Sequence, residues 1–191
     1  MKKHIFVLCI LNISIFTMTV FAQDKVVVIP LYKSSPTSIN KLIFVTNGLW
    51  NGDLGGLAGA DAKCNSEAKS RGFNGTYQAL LGSSAGRPET RSIHYPIPYL
   101  SETGGYLNSD FHDLFSSGPD NSINNDPFKN AWTGLNSNGT LTGQDCNGWT
   151  DSSVSATGTK GKVDAINQTW LNDTEAPYVC NGIFSLYCIE Q

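Results

Sequence analysis

Few residues in this chain could do chemistry. Its five cysteines and three histidines are the natural starting points. Cys9 lies inside an apolar N-terminal run, which leaves Cys64, Cys146, Cys180 and Cys188. An even count without a C-x-x-C pair reads as two disulfides rather than a zinc knuckle or redox motif. Four cysteines allow three connectivities. Beyond His4, the histidines are His94, in Arg91-Ser92-Ile93-His94-Tyr95, and His112, flanked by Asp110 and Asp113. A general base needs a nucleophile or substrate in reach, and a metal needs three or four ligands. No motif around either histidine supplies these, so no catalytic residue and no cofactor are expected. The alternative enzyme reading is an exported hydrolase using His94 or His112 with nearby carboxylates.

The tryptophans Trp50, Trp132, Trp149 and Trp170 are four large anchors in a small domain. Exposed, they would stack on sugars or fill a partner's pockets. Trp149, close to Cys146, is expected to pack on a disulfide. Trp50, Trp132 and Trp170 remain as ligand-binding candidates, with Trp50 in its Asn/Gly loop expected to be the most exposed. Residues 120–126 hold Asp120, Asn121, Asn124, Asn125 and Asp126 without calcium-loop spacing, and read as a solvated turn.

The N-terminus sets the compartment. Lys2 and Lys3 precede an apolar run from Ile5 to Leu11, no charge appears before Asp24, and Val20-Phe21-Ala22 is a small-residue cleavage pattern. Residues 1–22 are therefore expected to be a signal peptide. The charge-free stretch is only marginally long for a bilayer span, so no membrane insertion is expected once the leader is removed. Secretion, the cell surface or the periplasm is the expected location. Without Lys2 and Lys3, 11 basic residues face 16 acidic ones, a net charge of about −5. Nucleic acids and anionic membranes need a basic footprint, so neither is expected as the main partner.

Residues 23–40 are expected to form an N-terminal linker, Ser/Pro/Thr-rich towards its end, and 41–191 one domain. Leu42 to Thr46 has strand composition. After a glycine-rich loop, Leu57, Ala60, Cys64 and Ala68 recur in steps of three and four, the apolar face of a helix that Gly72 can end. Cys64 on that face requires its partner to come from a strand packed beneath the helix. Strands are also expected over 76–81, 131–135 and 184–189, a helical turn over 110–115 with Phe111, Leu114 and Phe115 inward, and a hairpin turn at 136–139. The stretch to Lys162 reads as loop. The fold class is α+β, with short antiparallel strands, one main helix and long loops.

Several of these segments carry a family likeness. Leu54-Gly55-Gly56-Leu57-Ala58-Gly59-Ala60-Asp61, three residues before Cys64, resembles the opening of the collagen endostatin domain. Gly72-Phe73-Asn74-Gly75-Thr76-Tyr77-Gln78-Ala79-Leu80-Leu81 is similar to the segment leaving its first helix. Cys146-Asn147-Gly148-Trp149-Thr150, then Ser155-Ala156-Thr157-Gly158, is similar to a later endostatin stretch, and the Cys180…Cys188-Ile189-Glu190 ending is similar too. The chain looks closer still to bacterial endostatin-like domains of exported surface proteins, also called a domain of unknown function. The resemblance implies a C-type-lectin-like fold with two nested disulfides, Cys64–Cys188 and Cys146–Cys180. It also implies a non-catalytic binding module for an extracellular protein or glycan, such as an adhesin for extracellular matrix.

Two departures limit the likeness. Gln23-Asp24-Lys25 lacks the histidines of the animal zinc site. The three arginines Arg71, Arg87 and Arg91, on an acidic chain, argue against heparin. Trp170-Leu171-Asn172-Asp173 echoes the W-N-D ending of calcium-dependent lectin sites, which makes Asn172 and Asp173 calcium candidates. Glu175-Ala176-Pro177 echoes the lectin E-P-N, but follows where it should precede. A loop with Trp170 packed inward is the competing expectation. A structural envelope protein without a ligand is the remaining alternative.

Overall fold

The computed structural model describes residues 7–12, 15–22, 25–30, 40–173 and 177–191. The chain divides into two units, Met1–Ser38 and Ile39–Gln191. In the first, β1 (Val7–Asn12), β2 (Ile15–Ala22) and β3 (Lys25–Pro30) pair antiparallel in that order. The expected leader spans β1 and β2. Its Lys2 and Lys3, and the expected linker between 31 and 39, lie outside the described residues. Among the described residues no helix is long and apolar enough to cross a membrane.

The second unit is a mixed α+β fold on a curled sheet. Its elements begin with β4 (Lys41–Val45), α1 (Gly56–Ser70), β5 (Tyr77–Ala79) and α2 (Pro88–Arg91). Next come β6 (Tyr99–Ser101), β7 (Tyr106–Asn108), α3 (Phe111–Ser116), β8 (Asn130–Trp132) and the turn α4 (Cys146–Trp149). The chain finishes with β9 (Thr157–Gly158), β10 (Lys160–Lys162), a 3₁₀ turn (Gln168–Trp170), β11 (Tyr178–Val179) and β12 (Ser185–Glu190). The sheet runs β10-β8-β12-β4-β6-β7. β12 is its axis: antiparallel to β4 along one edge, and on the other parallel to β8 and antiparallel to β5.

The central strands bury both faces, so their apolar runs are continuous rather than alternating. Ile43, Val45, Tyr187 and Ile189 face one core with Tyr99, Phe111, Leu114 and Trp170. Phe44, Leu186 and Cys188 face the other, under α1, with Ala60, Cys64, Ala68, Trp132 and Trp149. The α1 face read from the sequence is the buried one. Two of its polar side chains do a strand's work: Asn65 accepts from Tyr77 N at 2.9 Å and donates to Tyr77 O at 2.7 Å, and Asp61 accepts from Ala79 N at 2.9 Å. They satisfy backbone groups of β5 that lack a neighbouring strand on that side.

The disulfides pair Cys64 with Cys188 and Cys146 with Cys180, 124 and 34 residues apart, the second nested within the first. This is the pairing that the resemblance implies, and β12 is the strand beneath the Cys64 helix.

The sheet departs from the expected strands at three places. The 76–81 segment is ladder-paired only over Tyr77–Ala79. Expected strand 131–135 stops at Trp132, because Gly134 turns to φ 66° with its Cα against the Gly82 carbonyl, where a Cβ would run into Gly82 O. The stretch expected as loop holds β9 and β10, and β10 pairs with β8 through Lys160↔Trp132 and Lys162↔Asn130.

Candidate functional site

The two histidines line one cleft of about 290 Å³. Three chain segments build it. α2 and the residues after it supply Glu89 and His94, α3 supplies Phe111, His112, Phe115 and Ser116, and the turn after β8 supplies Asn138 and Gly139.

Each segment is fixed by local chemistry. In α3, Asp110 caps the helix by accepting from Asp113 N at 3.0 Å, and Leu114 and Phe111 are buried. That leaves His112 on the outer side of the helix and Phe115 half-buried at the cleft. α2 starts with Pro88 at a position that needs no N–H. Arg91 ties α2 to the body, donating to Asp61 Oδ2 at 2.6 Å and to Ala79 O at 3.3 Å. Ser92 donates to Gln78 Oε1 at 3.1 Å, and Ile93 N to Gln191 Oε1 at 2.8 Å. The third segment is closed by Asn136 N donating to Thr140 O at 2.7 Å, with Gly139 at φ 77°. A Cβ on Gly139 would meet the Phe115 ring at 2.7 Å, so glycine lets the turn lie against that ring.

The floor is aromatic. His94 stacks on Phe111 with centroids 4.1 Å apart and planes at 12°. Phe111 meets Phe115 at 5.0 Å, and Phe115 meets Trp170 at 5.9 Å. Behind them, Trp170 packs edge-on to Tyr187, whose hydroxyl donates to Trp170 O at 2.9 Å. Burial pushes the Tyr187 hydroxyl well above its ordinary pKa, and it pushes Tyr99, beneath Phe111, up to about 12. The rim is polar, with Glu89, His94, His112 and Asn138 all exposed. An apolar floor with a few polar groups around it suits a sugar or a comparable amphipathic group.

The tryptophans are placed differently from their expectation as a ligand face. Trp132 and Trp170 are 0% exposed, and a buried ring offers no face to a ligand. Trp170 supports the cleft floor from behind instead. Trp149 is also buried, donating to Gly82 O at 3.0 Å beside Cys146. Trp50 is half-buried rather than prominent. Its backbone pairs with Phe184, its carbonyl accepts from Trp132 Nε1 at 2.9 Å, and it borders a shallow depression with Lys63 and Glu67. Asp173 is buried against the Lys160 ammonium, so its carboxylate already faces a cation, while Glu175 and Ala176 of the lectin echo lie outside the described residues. In the 120–126 segment, Asn124 Oδ1 accepts from Asp126 N at 3.0 Å, which spends it on the turn. Among the described residues, no group of three or more His, Cys, Asp or Glu side chains is placed to hold a metal.

Sequence reasoning named both histidines but not their meeting, nor Glu89, Phe115 and Asn138 as their neighbours. The inward Phe111 and Phe115 of the expected 110–115 turn are its pointers to the floor.

Residues 102–176 match a family model described as a protein of unknown function, DUF1554. The matched span holds α3 and the 136–140 turn, and so Phe111 and Phe115 of the floor, while Glu89 and His94 precede it. No curated protein matches the chain.

Proposed function

We propose that the chain is an exported recognition module of endostatin-like, C-type-lectin-like fold, working outside the cytoplasm as an adhesin. Its ligand is an extracellular glycan, free or carried on a matrix protein, held in the His94–His112 cleft. One observation carries this reading: a cleft floored by the exposed His94 ring and the half-buried Phe115, each packed on the buried Phe111, with exposed polar groups around it. Two nested disulfides and the acidic net charge support an extracellular, non-polyanionic setting. The α1-over-β12 arrangement and the order of the cysteines support the endostatin-like fold.

A hydrolase is the second reading, because Glu89 shares the cleft with both imidazoles. Against it stands the way His94 is oriented, by stacking on a ring rather than by a carboxylate.

The test is binding of the oxidised protein to a panel of glycans and matrix proteins, with wild type and Phe115→Ala side by side. Saturable binding weakened on the order of tenfold in the variant is expected, as loss of one stacking ring costs about 1–2 kcal/mol. Equal binding by the variant overturns the cleft. Shortened glycan products after incubation replace the module with the hydrolase.

A further inference from the structure

Lys160 is 3% exposed, deep for a lysine on the edge strand of a sheet. Its ammonium touches the carboxylate of Asp173, whose side chain is equally buried. The same Nζ lies 3.2 Å from the side-chain oxygen of Asn130 on the neighbouring strand. Asn130, Trp132, Lys160 and Lys162 share one face of the β8/β10 ladder, so the lysine reaches diagonally to the carboxamide. The Tyr178 and Phe184 rings wall the site, with centroids 4.1 and 5.7 Å from Nζ. Asp173 N donates to Lys160 O at 3.1 Å, which pins the carboxylate beside the amine.

A buried ion pair contributes little to stability over apolar residues of the same size. An amine, a carboxamide and a carboxyl side by side against two aromatic rings form a different kind of device. They are the nucleophile, electrophile and proton carrier of an amide exchange, held together by the fold at high effective concentration.

We propose that Lys160 and Asn130 join in an intramolecular isopeptide bond, with Asp173 carrying the proton. Lys160 Nζ gives a proton to the Asp173 carboxylate, and the neutral amine attacks Asn130 Cγ. Asp173 returns that proton to Nδ2 as the Cγ–Nδ2 bond breaks, then takes the second proton that Nζ sheds on becoming an amide nitrogen and passes it to the departing ammonia, so nitrogen leaves as ammonium. One amide bond forms and one breaks, no oxidant or cofactor is consumed, and Asp173 ends as it began. Burial pushes the Lys160 ammonium towards its neutral form, but the Asp173 and Tyr178 contacts outweigh it and hold its pKa above the ordinary lysine value, so the first transfer is the uphill step. The product ties edge strand β10 to β8 and lowers the mass by one ammonia, about 17 Da.

Cyclisation at an N-terminal Gln or an Asn-Gly step also sheds ammonia, so the bond is read from peptides. Trypsin should fail to cut after Lys160, and cutting at Asp151 should leave the Asn130 and Lys160 fragments joined. Lys160→Ala and Asp173→Ala should each release separate fragments, and peptide mapping of denatured protein does not require that either variant fold. Free, cleavable Lys160 in the wild-type protein overturns the proposal, leaving a buried ion pair. A Lys160 fragment joined to one that holds Asp173 instead of Asn130 also overturns it.

Discussion

The His94 imidazole lies flat on the Phe111 ring, with centroids 4.1 Å apart and 12° between planes. The contact joins two segments that the backbone brings in from different directions, α3 and the strap after α2. It also makes one face of His94 part of an aromatic floor and leaves the other to solvent.

The strap depends on Arg91. Its two hydrogen bonds, to Asp61 and Ala79 O, are part-buried. Arg91→Ala should cost about 1–3 kcal/mol, because it strands a carboxylate that caps β5. Urea unfolding should show that loss, and glycan affinity should fall with it as His94 loosens. Unchanged stability would contradict the anchoring role.

Gly139 and Gly143 separate backbone strain from cleft contact. Both have positive φ, 77° and 76°, but only Gly139 lies against Phe115, while nothing stands within 4 Å of a Cβ at Gly143. Alanine at Gly143 should cost about 1 kcal/mol for the left-handed backbone. Alanine at Gly139 should cost more and weaken binding, because the Phe115 ring must move. Equal effects at the two positions would count against the packing argument.

Much of this architecture is legible in the sequence, and the exceptions have physical reasons. The Ala60, Cys64, Ala68 spacing fixes the buried face of α1, and the apolar run before the C-terminus announces β12. The inward Phe111, Leu114 and Phe115 announce α3. Strand β10 is hidden because its buried residues are Gly161 and Lys160, a residue without a side chain and a lysine whose charge is met by Asp173 thirteen positions later. The tryptophans mislead because composition gives their size and not their side of the sheet. The cleft is hidden because its floor and rim come from three segments that only the tertiary fold assembles.

The disulfides should differ in worth. Replacing Cys146 and Cys180 by alanine should cost about 4 kcal/mol, and replacing Cys64 and Cys188 about 5 kcal/mol, from the lengths of the loops they close. Denaturant midpoints of the two double variants check the order. A larger loss from the shorter loop would show that native-state packing, not the unfolded chain, sets the effect.

Alkaline stability should follow the buried tyrosines. Burial raises Tyr77, with Glu190 adding to it, and Tyr99 to about 12. A raised folded-state pKa means their contribution is complete below pH 10, the ordinary value, and is lost as pH climbs towards about 12. Urea midpoints should therefore fall across that window, and Tyr99→Phe should flatten part of the slope. A flat profile in the wild-type protein would contradict their burial.

The most direct test of the cleft uses the histidines as reporters. If residues 1–22 are removed on export, His94 and His112 are the only imidazoles left, and both line the proposed site. Their ring proton resonances should be followed by NMR while a glycan that binds the oxidised protein is titrated in. Both should shift and saturate together with binding, and the shifts should be lost in Phe115→Ala. Saturable binding that leaves both imidazoles unmoved would place recognition elsewhere on the molecule.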